Sequence, residues 1–183
     1  MKPLYTYFED LTATPGNTMG MGNPIAPIGD QIGTEPIVTT KCKKEKYKKY
    51  KKKITESLKE GQYIFTVIKP GFLPLAQQII ERFEEEGFEV FKLKTKKLLL
   101  KEAQLLYKVH KNEKFYNDLC KYMVSDSTLA IIYSKSEPTK DIFKEVESIK
   151  DEIRKKYGES DMRNVLHSSD SFEHMNDEIG IYF

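Results

Sequence analysis

The sequence predicts an α+β domain with a mostly antiparallel sheet, preceded by an irregular segment that spans residues 1–60. Two observations predict this arrangement. Beyond residue 60, runs typical of strands and of amphipathic helices follow one another in the order β-α-β-α-α-β-α-(β)-α. Before that point, glycine, proline and lysine replace any sustained helix or strand periodicity. The order of the elements suggests that the helices cover one face of the sheet.

The predicted strands are short runs rich in β-branched and aromatic residues. Residues 63–68 and 128–133 are almost continuously apolar, which is typical of buried strands. Residues 88–93 alternate apolar and polar side chains, which is typical of a strand with one exposed face. A further short strand is expected between the last two helices.

Five helices are predicted from apolar residues that recur on one helical face. In the first, Ile79, Ile80 and Phe83 form this face, and Gly87 is expected to end the helix as a C-cap. Ser171 is a favourable N-cap for the last helix. The predicted helices span residues 76–86, 98–107, 115–123, 141–155 and 171–183.

Residues 1–40 form a predicted Gly/Pro-rich tail. Five glycines and five prolines make up a quarter of it, and its net charge is −3. Such a segment cannot by itself bury enough apolar surface to offset the ordering of its backbone, so a protein partner is expected to hold it. Residues 17–24, followed by Gly29 and Asp30, resemble in composition short segments of tailed-bacteriophage proteins. That resemblance implies a role in a virion or in an infected cell.

Residues 41–60 form a predicted Lys-rich linker with a net charge of +7, whereas residues 61–183 carry −2. Nine lysines occupy the thirteen positions from Lys41 to Lys53. One interpretation is a solvated linker. The other is a contact with nucleic acid or another polyanion, because lysine neutralises phosphates without reading bases. The sequence leaves both open.

Composition excludes several classes of protein. The 183 residues are 39% hydrophobic and 32% charged, against roughly 45–50% and ~25% in an average soluble domain. No run approaches the ~18–20 apolar residues of a membrane span, and the N-terminus lacks the pattern of a secretory signal peptide. Cys42 and Cys120 are too few for a disulfide framework or a four-ligand zinc site. We therefore expect a cytoplasmic protein without a membrane contact.

The segment from Arg163 to Ser171 contains the residues that are the best candidates for catalysis. His167 lies between an apolar pair and a cluster of hydroxyls, just before a predicted helix start at Ser171. Backbone N–H groups at a helix start can bind an anion, which suits a histidine that accepts a phosphoryl group. The alternative is a structural histidine held by its serine neighbours, and spacing alone leaves both open.

The motif Asn164-x-x-His167-x-Ser169-Asp170-Ser171, followed by residues 178–183, resembles the active-site signature of nucleoside diphosphate kinases. Four further segments resemble that family in the same order along the chain. They are residues 63–70 with their Lys-Pro pair, residues 79–88, the pair Leu106-Tyr107, and residues 114–123. The resemblance therefore extends over a predicted domain of residues 61–183.

This resemblance implies a ferredoxin-like α/β sandwich with a four-stranded antiparallel sheet. It also implies a two-step reaction, in which a nucleoside triphosphate phosphorylates a histidine and the phosphohistidine then phosphorylates a nucleoside diphosphate. Mg²⁺ would assist and would be held mainly by the nucleotide phosphates rather than by the protein. A homo-oligomer is expected, of unspecified order.

The resemblance also assigns the reacting centre by position. His167 would be the nucleophile, and Glu178 and Ser169 would orient its ring. Lys69 would contact the ribose hydroxyl and the transferring phosphate. The alternative for Lys69 is an ordinary solvated lysine at a strand end.

Five more residues are assigned to nucleotide binding by the same resemblance. Tyr107 and Arg154 would support the phosphates, and Asn164 would hold the ribose. Phe115 would stack on the base and Leu119 would line the same slot. The alternatives are core packing for Phe115 and Leu119, and a plain surface position for Arg154.

Three other polar residues are given no catalytic role. We expect His110 and His174 to lie on the surface, and we expect Asp170 to be a structural cap rather than a base.

Departures from the family pattern suggest a second hypothesis. Ser168 replaces a glycine beside the phosphate pocket, and Gly71 replaces an acidic residue. Residues 133–154 are too short for a loop that bears another phosphate-binding arginine and a threonine, and Lys144 is a candidate for partial replacement. Loss of one such contact costs about 1.5–3 kcal/mol. The alternative function is therefore a catalytically weak or inactive kinase-like binding or structural module, tethered through its tail.

Overall fold

The computed structural model describes residues 58–183. The predicted tail, with its phage-like segment and protein partner, and the lysine tract with its polyanion contact lie outside the described residues. Leu58 is already buried against the core. The strands are β1 (Tyr63–Ile68), β2 (Phe88–Lys96), β3 (Thr128–Lys135) and β4 (Leu166–Ser168). The helices are α1 (Ala76–Glu85), α2 (Leu100–Leu106), α3 (Tyr116–Met123), α4 (Ile142–Tyr157) and α5 (Phe172–Tyr182).

Every predicted helix and strand is confirmed, with bounds that shift by a few residues. Gly87 has a φ of 79°, which is the left-handed conformation expected of a glycine after a helix. The Ser171 side chain accepts a hydrogen bond from the His174 backbone N–H at 3.2 Å, which confirms it as the N-cap of α5.

The sheet has four strands in the order β2-β3-β1-β4, and all three pairings are antiparallel. This confirms the predicted antiparallel sheet. Val67 in β1 lies opposite His167 in β4. The Ser169 N–H donates to the Phe65 carbonyl at 3.1 Å, and the Lys69 N–H donates to the Val165 carbonyl at 2.8 Å. The end of β1 and the segment around His167 are thereby fixed side by side.

The helices cover both faces of the sheet, so the expectation of helices on one face was wrong. One core contains Ile64 and Ile68 of β1 and packs against α1 and α4. The other contains Phe65 and Val67 and packs against α2, α3 and α5. A strand that is apolar at nearly every position needs cover on both sides, because successive side chains point to opposite faces.

Candidate active site

His167 lies in the edge strand β4, directly before the helix α5 that Ser171 caps. Its Nε2 lies 2.9 Å from the Glu178 Oε2 atom, and the Ser169 hydroxyl donates to the same oxygen at 2.6 Å. The His167 and Glu178 side chains are only 16% and 12% exposed. An ionised carboxylate accepts hydrogen bonds and donates none, so Nε2 carries the proton of the neutral ring. The Nδ1 lone pair is left for chemistry.

Val165 turns the chain just before His167. Its φ of 71° is a strained, left-handed conformation for a β-branched residue. The side chain is fully buried, and its carbonyl accepts the Lys69 N–H. Packing and hydrogen bonding therefore hold a conformation that Val165 would not adopt alone. Such strain clusters at functional sites, where it fixes the geometry in advance.

Lys69 follows β1 and is buried, with 4% of its surface exposed. Its Nζ donates to the Asn164 Oδ1 atom at 2.6 Å and to the Met162 carbonyl at 3.1 Å. Burial and, to a lesser extent, the nearby Arg154 charge lower the pKa of Lys69 to about 7. The Lys69 amino group and the Asn164 amide are thus already joined before any ligand binds.

Arg154 projects from α4 to the same place. Its Nε and Nη2 atoms donate to the Leu166 carbonyl at 3.2 and 2.8 Å, one residue before His167. Burial lowers its pKa. This contact is specific, so Arg154 does not occupy the plain surface position that was the alternative for it.

Tyr107 follows α2, and the centre of its ring lies 5.4 Å from that of His167. Its hydroxyl is buried and has no hydrogen-bond partner among the described residues. Burial raises the pKa of this hydroxyl well above its ordinary value. A buried donor without an acceptor is costly, and a phosphate oxygen would satisfy it.

Phe115 and Leu119 occupy different environments. Phe115 is 44% exposed at the start of α3, and its ring centre lies 5.7 Å from that of His110. Leu119 is buried in the second core. Phe115 is therefore accessible for stacking, while Leu119 packs as the core alternative expected.

A cavity of about 650 Å³ opens beside His167. Its walls come from α2, the turn Lys108–His110, α4, β4 and α5. Lys150 and Arg154 of α4 contribute cations to it, Leu105 and Val109 contribute apolar surface, and Glu178 lies in its wall. The cavity is large enough for part of a nucleotide-sized ligand.

A family model described as nucleoside diphosphate kinase matches residues 62–183, from the residue before β1 to Phe183. The chain belongs to the nucleoside diphosphate kinase family. Two relatives with that name are similar to it. The protein of Sulfolobus acidocaldarius is 33% identical over 130 residues, which are 67% of this chain and 90% of the relative. The protein of Kosmotoga olearia is 30% identical over 134 residues, which are 65% and 86% of the two chains.

Two solved nucleoside diphosphate kinase structures share the fold. The Aquifex aeolicus structure matches with a TM-score of 0.60 at 26% identity, and the match covers 67% of this chain and 94% of that one. The Encephalitozoon cuniculi structure matches with a TM-score of 0.57 at 25% identity, and the match covers 67% and 88%. The likeness confirms the ferredoxin-like α/β sandwich.

Of four further polar residues that the sequence analysis named, three line the cavity. His110 and His174 are both partly exposed, in keeping with the surface positions expected for them, and both also line the cavity. Asp170 also lines it, and its Oδ1 atom lies 2.5 Å from His174 Nδ1, whereas Ser171 is the cap. Lys144 is 82% exposed, pairs with Asp141 and lies outside the cavity wall.

Sequence reasoning missed Lys150. It precedes Arg154 by four residues on α4, which places both on one face of the helix, and both line the cavity. Once Arg154 had been assigned to phosphate binding, the four-residue spacing in the sequence could have indicated Lys150 as well.

Residues 58–183 contain neither a cluster of metal-binding side chains nor a helix suited to span a membrane. No cluster of three or more histidine, cysteine, aspartate or glutamate side chains in this range is arranged to hold a metal ion. No helix in this range is both long and apolar enough to span a membrane.

Proposed function

We propose that this protein is a nucleoside diphosphate kinase that transfers the terminal phosphoryl group of a nucleoside triphosphate to a nucleoside diphosphate through a phosphohistidine at His167. The proposal depends on one observation above all. Glu178 holds Nε2 at 2.9 Å beside a cavity large enough for part of a nucleotide, so that Nδ1 presents a lone pair. Family membership supports the same reaction.

In the first step, the Nδ1 lone pair attacks the γ-phosphorus. A nitrogen–phosphorus bond forms, the bond from phosphorus to the β–γ bridging oxygen breaks, and the diphosphate leaves with that electron pair. In the second step, a terminal phosphate oxygen of another diphosphate attacks the same phosphorus, and the electron pair returns to Nδ1. Positive charge develops on the ring as the first bond forms. The Glu178 carboxylate at Nε2 stabilises that charge, and Ser169 fixes the carboxylate.

The proposed phosphate contacts are Arg154, Lys69 and the unpaired Tyr107 hydroxyl. These groups complement negative charge and do not form a metal cage. Mg²⁺ is accordingly proposed to enter with the nucleotide and to offset phosphate charge. The nucleotide and Mg²⁺ then bind as one complex, and the protein supplies cations and hydrogen-bond donors to its phosphates.

We place the ribose at Asn164 and the base on Phe115. The 2.6 Å bond from Lys69 to Asn164 connects the ribose site to the phosphate site. Stacking on an exposed aromatic ring accepts any base, which fits low base specificity. Self-association, a cytoplasmic location and the partners of residues 1–60 remain predictions from the sequence.

The full-length protein is expected to become labelled when it is incubated with Mg²⁺ and γ-labelled ATP. The label should be labile in acid and stable in alkali, as a phosphohistidine is, and should move to an added nucleoside diphosphate. Stable label in acid would indicate a phosphoserine or a phosphothreonine instead. A family member that only binds nucleotides would give no label, and the proposal would then fail in favour of the binding-module alternative.

Nucleotide binding is expected to take up protons at pH 8. In the free protein, burial and then the Arg154 charge hold the pKa of Lys69 near 7, so most of these side chains are neutral at that pH. Bound phosphates favour the ammonium form and raise its pKa, so Lys69 gains a proton as the nucleotide enters. Affinity should therefore fall as the pH rises above 7.

Calorimetric titration with MgADP at pH 8, in two buffers of different ionisation enthalpy, measures this proton uptake. The nucleotide phosphates are already ionised at pH 8 and contribute little. Lys69→Met should abolish the uptake. Uptake that persists in that variant, or proton release in the wild type, contradicts the assignment.

A further inference from the structure

The chain leaves little room for a phosphate-binding loop between β3 and α4. β3 ends at Lys135, and α4 runs for 16 residues from Ile142 to Tyr157. Cations for the phosphates must therefore come from other elements. Of the cations that line the cavity, Lys150 and Arg154 lie on α4, whereas Lys108 lies in the turn after α2 and pairs with Asp177. The Nε and Nη2 atoms of Arg154 already donate hydrogen bonds to the Leu166 carbonyl. A further cation on the same helix face would supply donors that Arg154 has committed elsewhere.

Lys150 meets that requirement. It lies one helical turn, about 5–6 Å, before Arg154. Both side chains line the cavity that His167 also lines. The Lys150 side chain is only 15% exposed, compared with 82% for Lys144 on the same helix. A lysine with a buried stem holds its ammonium group at a defined place, here at the cavity wall.

The present ion pair of Lys150 is weak. Its Nζ lies 3.7 Å from the Glu147 Oε1 atom, which is longer than a hydrogen bond, and the Glu147 side chain is 66% exposed. A long pair with one exposed partner contributes little to stability and is exchanged easily. A phosphate that entered the cavity could replace the Glu147 carboxylate without breaking a strong contact.

We infer that Lys150 binds the β- and γ-phosphates of the nucleotide from α4, as a second cation beside Arg154. This inference rests on the proposed function, since it names a further residue for the same ligand. The role is phosphate recognition by a point charge, and it does not require a loop. It also predicts that Glu147, which lies beside this cation, opposes nucleotide binding.

The test uses full-length Lys150→Met, which removes the charge and keeps the apolar stem, with Lys144→Met as the matched control on the same helix. The affinity for ATP should fall about 10- to 100-fold in Lys150→Met, and ADP should be affected less. The affinity for adenosine should not change, because adenosine carries no phosphate. Lys144→Met should equal the wild type for all three ligands.

Two further variants separate recognition from structure. Lys150→Arg should restore most of the ATP affinity, and Glu147→Gln should raise it. Equal losses for adenosine and ATP would mean that the substitution disturbs the fold, and an affinity equal to the wild type in Lys150→Met would mean that the phosphates do not reach it. Either result overturns the inference.

The binding readout does not depend on turnover. If the wild type binds ATP but forms no phosphohistidine, the proposed function fails, and the comparison of Lys150→Met with Lys144→Met still decides the role of Lys150. If the wild type is labelled and turns over while Lys150→Met binds ATP normally, the inference about Lys150 alone fails.

Discussion

The variant His167→Ala should take no phosphate from ATP and should lose nucleoside diphosphate kinase turnover by at least about 10³-fold. The reason is covalent: without Nδ1 no nitrogen–phosphorus bond forms, and water or a neighbouring hydroxyl is a much poorer nucleophile. The His167–Glu178 hydrogen bond is also lost, so the fold is checked by the melting temperature of the variant. Nucleotide affinity should be largely retained, because the cations that hold the phosphates remain.

His110→Ala and His174→Ala are the controls that the structure offers. Both side chains line the same cavity as His167. Either could therefore accept the phosphoryl group if closeness to the nucleotide were the only requirement. The Nδ1 of His174 lies against the Asp170 carboxylate at 2.5 Å, in contrast to that of His167. Both controls should keep the acid-labile label. Label that survives in His167→Ala and disappears in either control would move the nucleophile and contradict the proposal.

The sheet was predictable because the sequences of its two central strands are by themselves typical of buried strands. β1 and β3 are apolar on both sides, and no helix periodicity competes in such short runs. The same pattern implied cover on both faces, which the order of elements alone did not reveal. Order along the chain gives connectivity, whereas alternation within a strand tells which faces are buried.

The reacting centre was predictable because its members are close in sequence. His167, Ser169 and Glu178 lie within twelve residues of one another, on β4, on the short connection after it and on α5. Lys150 and His110 come from distant segments and reach the cavity through the packing of α4 and of the turn Lys108–His110. Tertiary contacts decide which residues surround the cavity, and the four-residue spacing indicates Lys150 only after Arg154 itself has been assigned.

Side-chain burial differs between two residues that their spacing treats alike. Phe115 and Leu119 lie one helical turn apart and are both apolar. The sequence is therefore equally compatible with packing in the core and with contact to the base for each of them. The structure leaves 44% of Phe115 exposed and only 5% of Leu119. The difference arises from where α3 begins to pack against the sheet, which no feature of the segment 115–119 specifies.

The variant Glu178→Gln should reduce the rate of phosphoryl transfer by about 10²- to 10⁴-fold. The volume hardly changes, but an amide can turn its NH₂ group toward Nε2 and donate. Nε2 would then accept, the proton would move to Nδ1, and the lone pair that attacks phosphorus would be lost. Stabilisation of the positive ring would be lost too. Nucleotide affinity should not fall, because the substitution removes a negative charge from the cavity wall.

A tautomer measurement makes this prediction specific to the proposed role. Nitrogen chemical shifts of the His167 ring should indicate protonation at Nε2 in the wild type and at Nδ1 in Glu178→Gln. Ser169→Ala removes only the 2.6 Å bond to the carboxylate, so a smaller loss of about 10- to 100-fold is expected, with the wild-type tautomer kept. If Glu178→Gln turns over at the wild-type rate, or changes the rate without changing the tautomer, then Glu178 does not act by orienting His167.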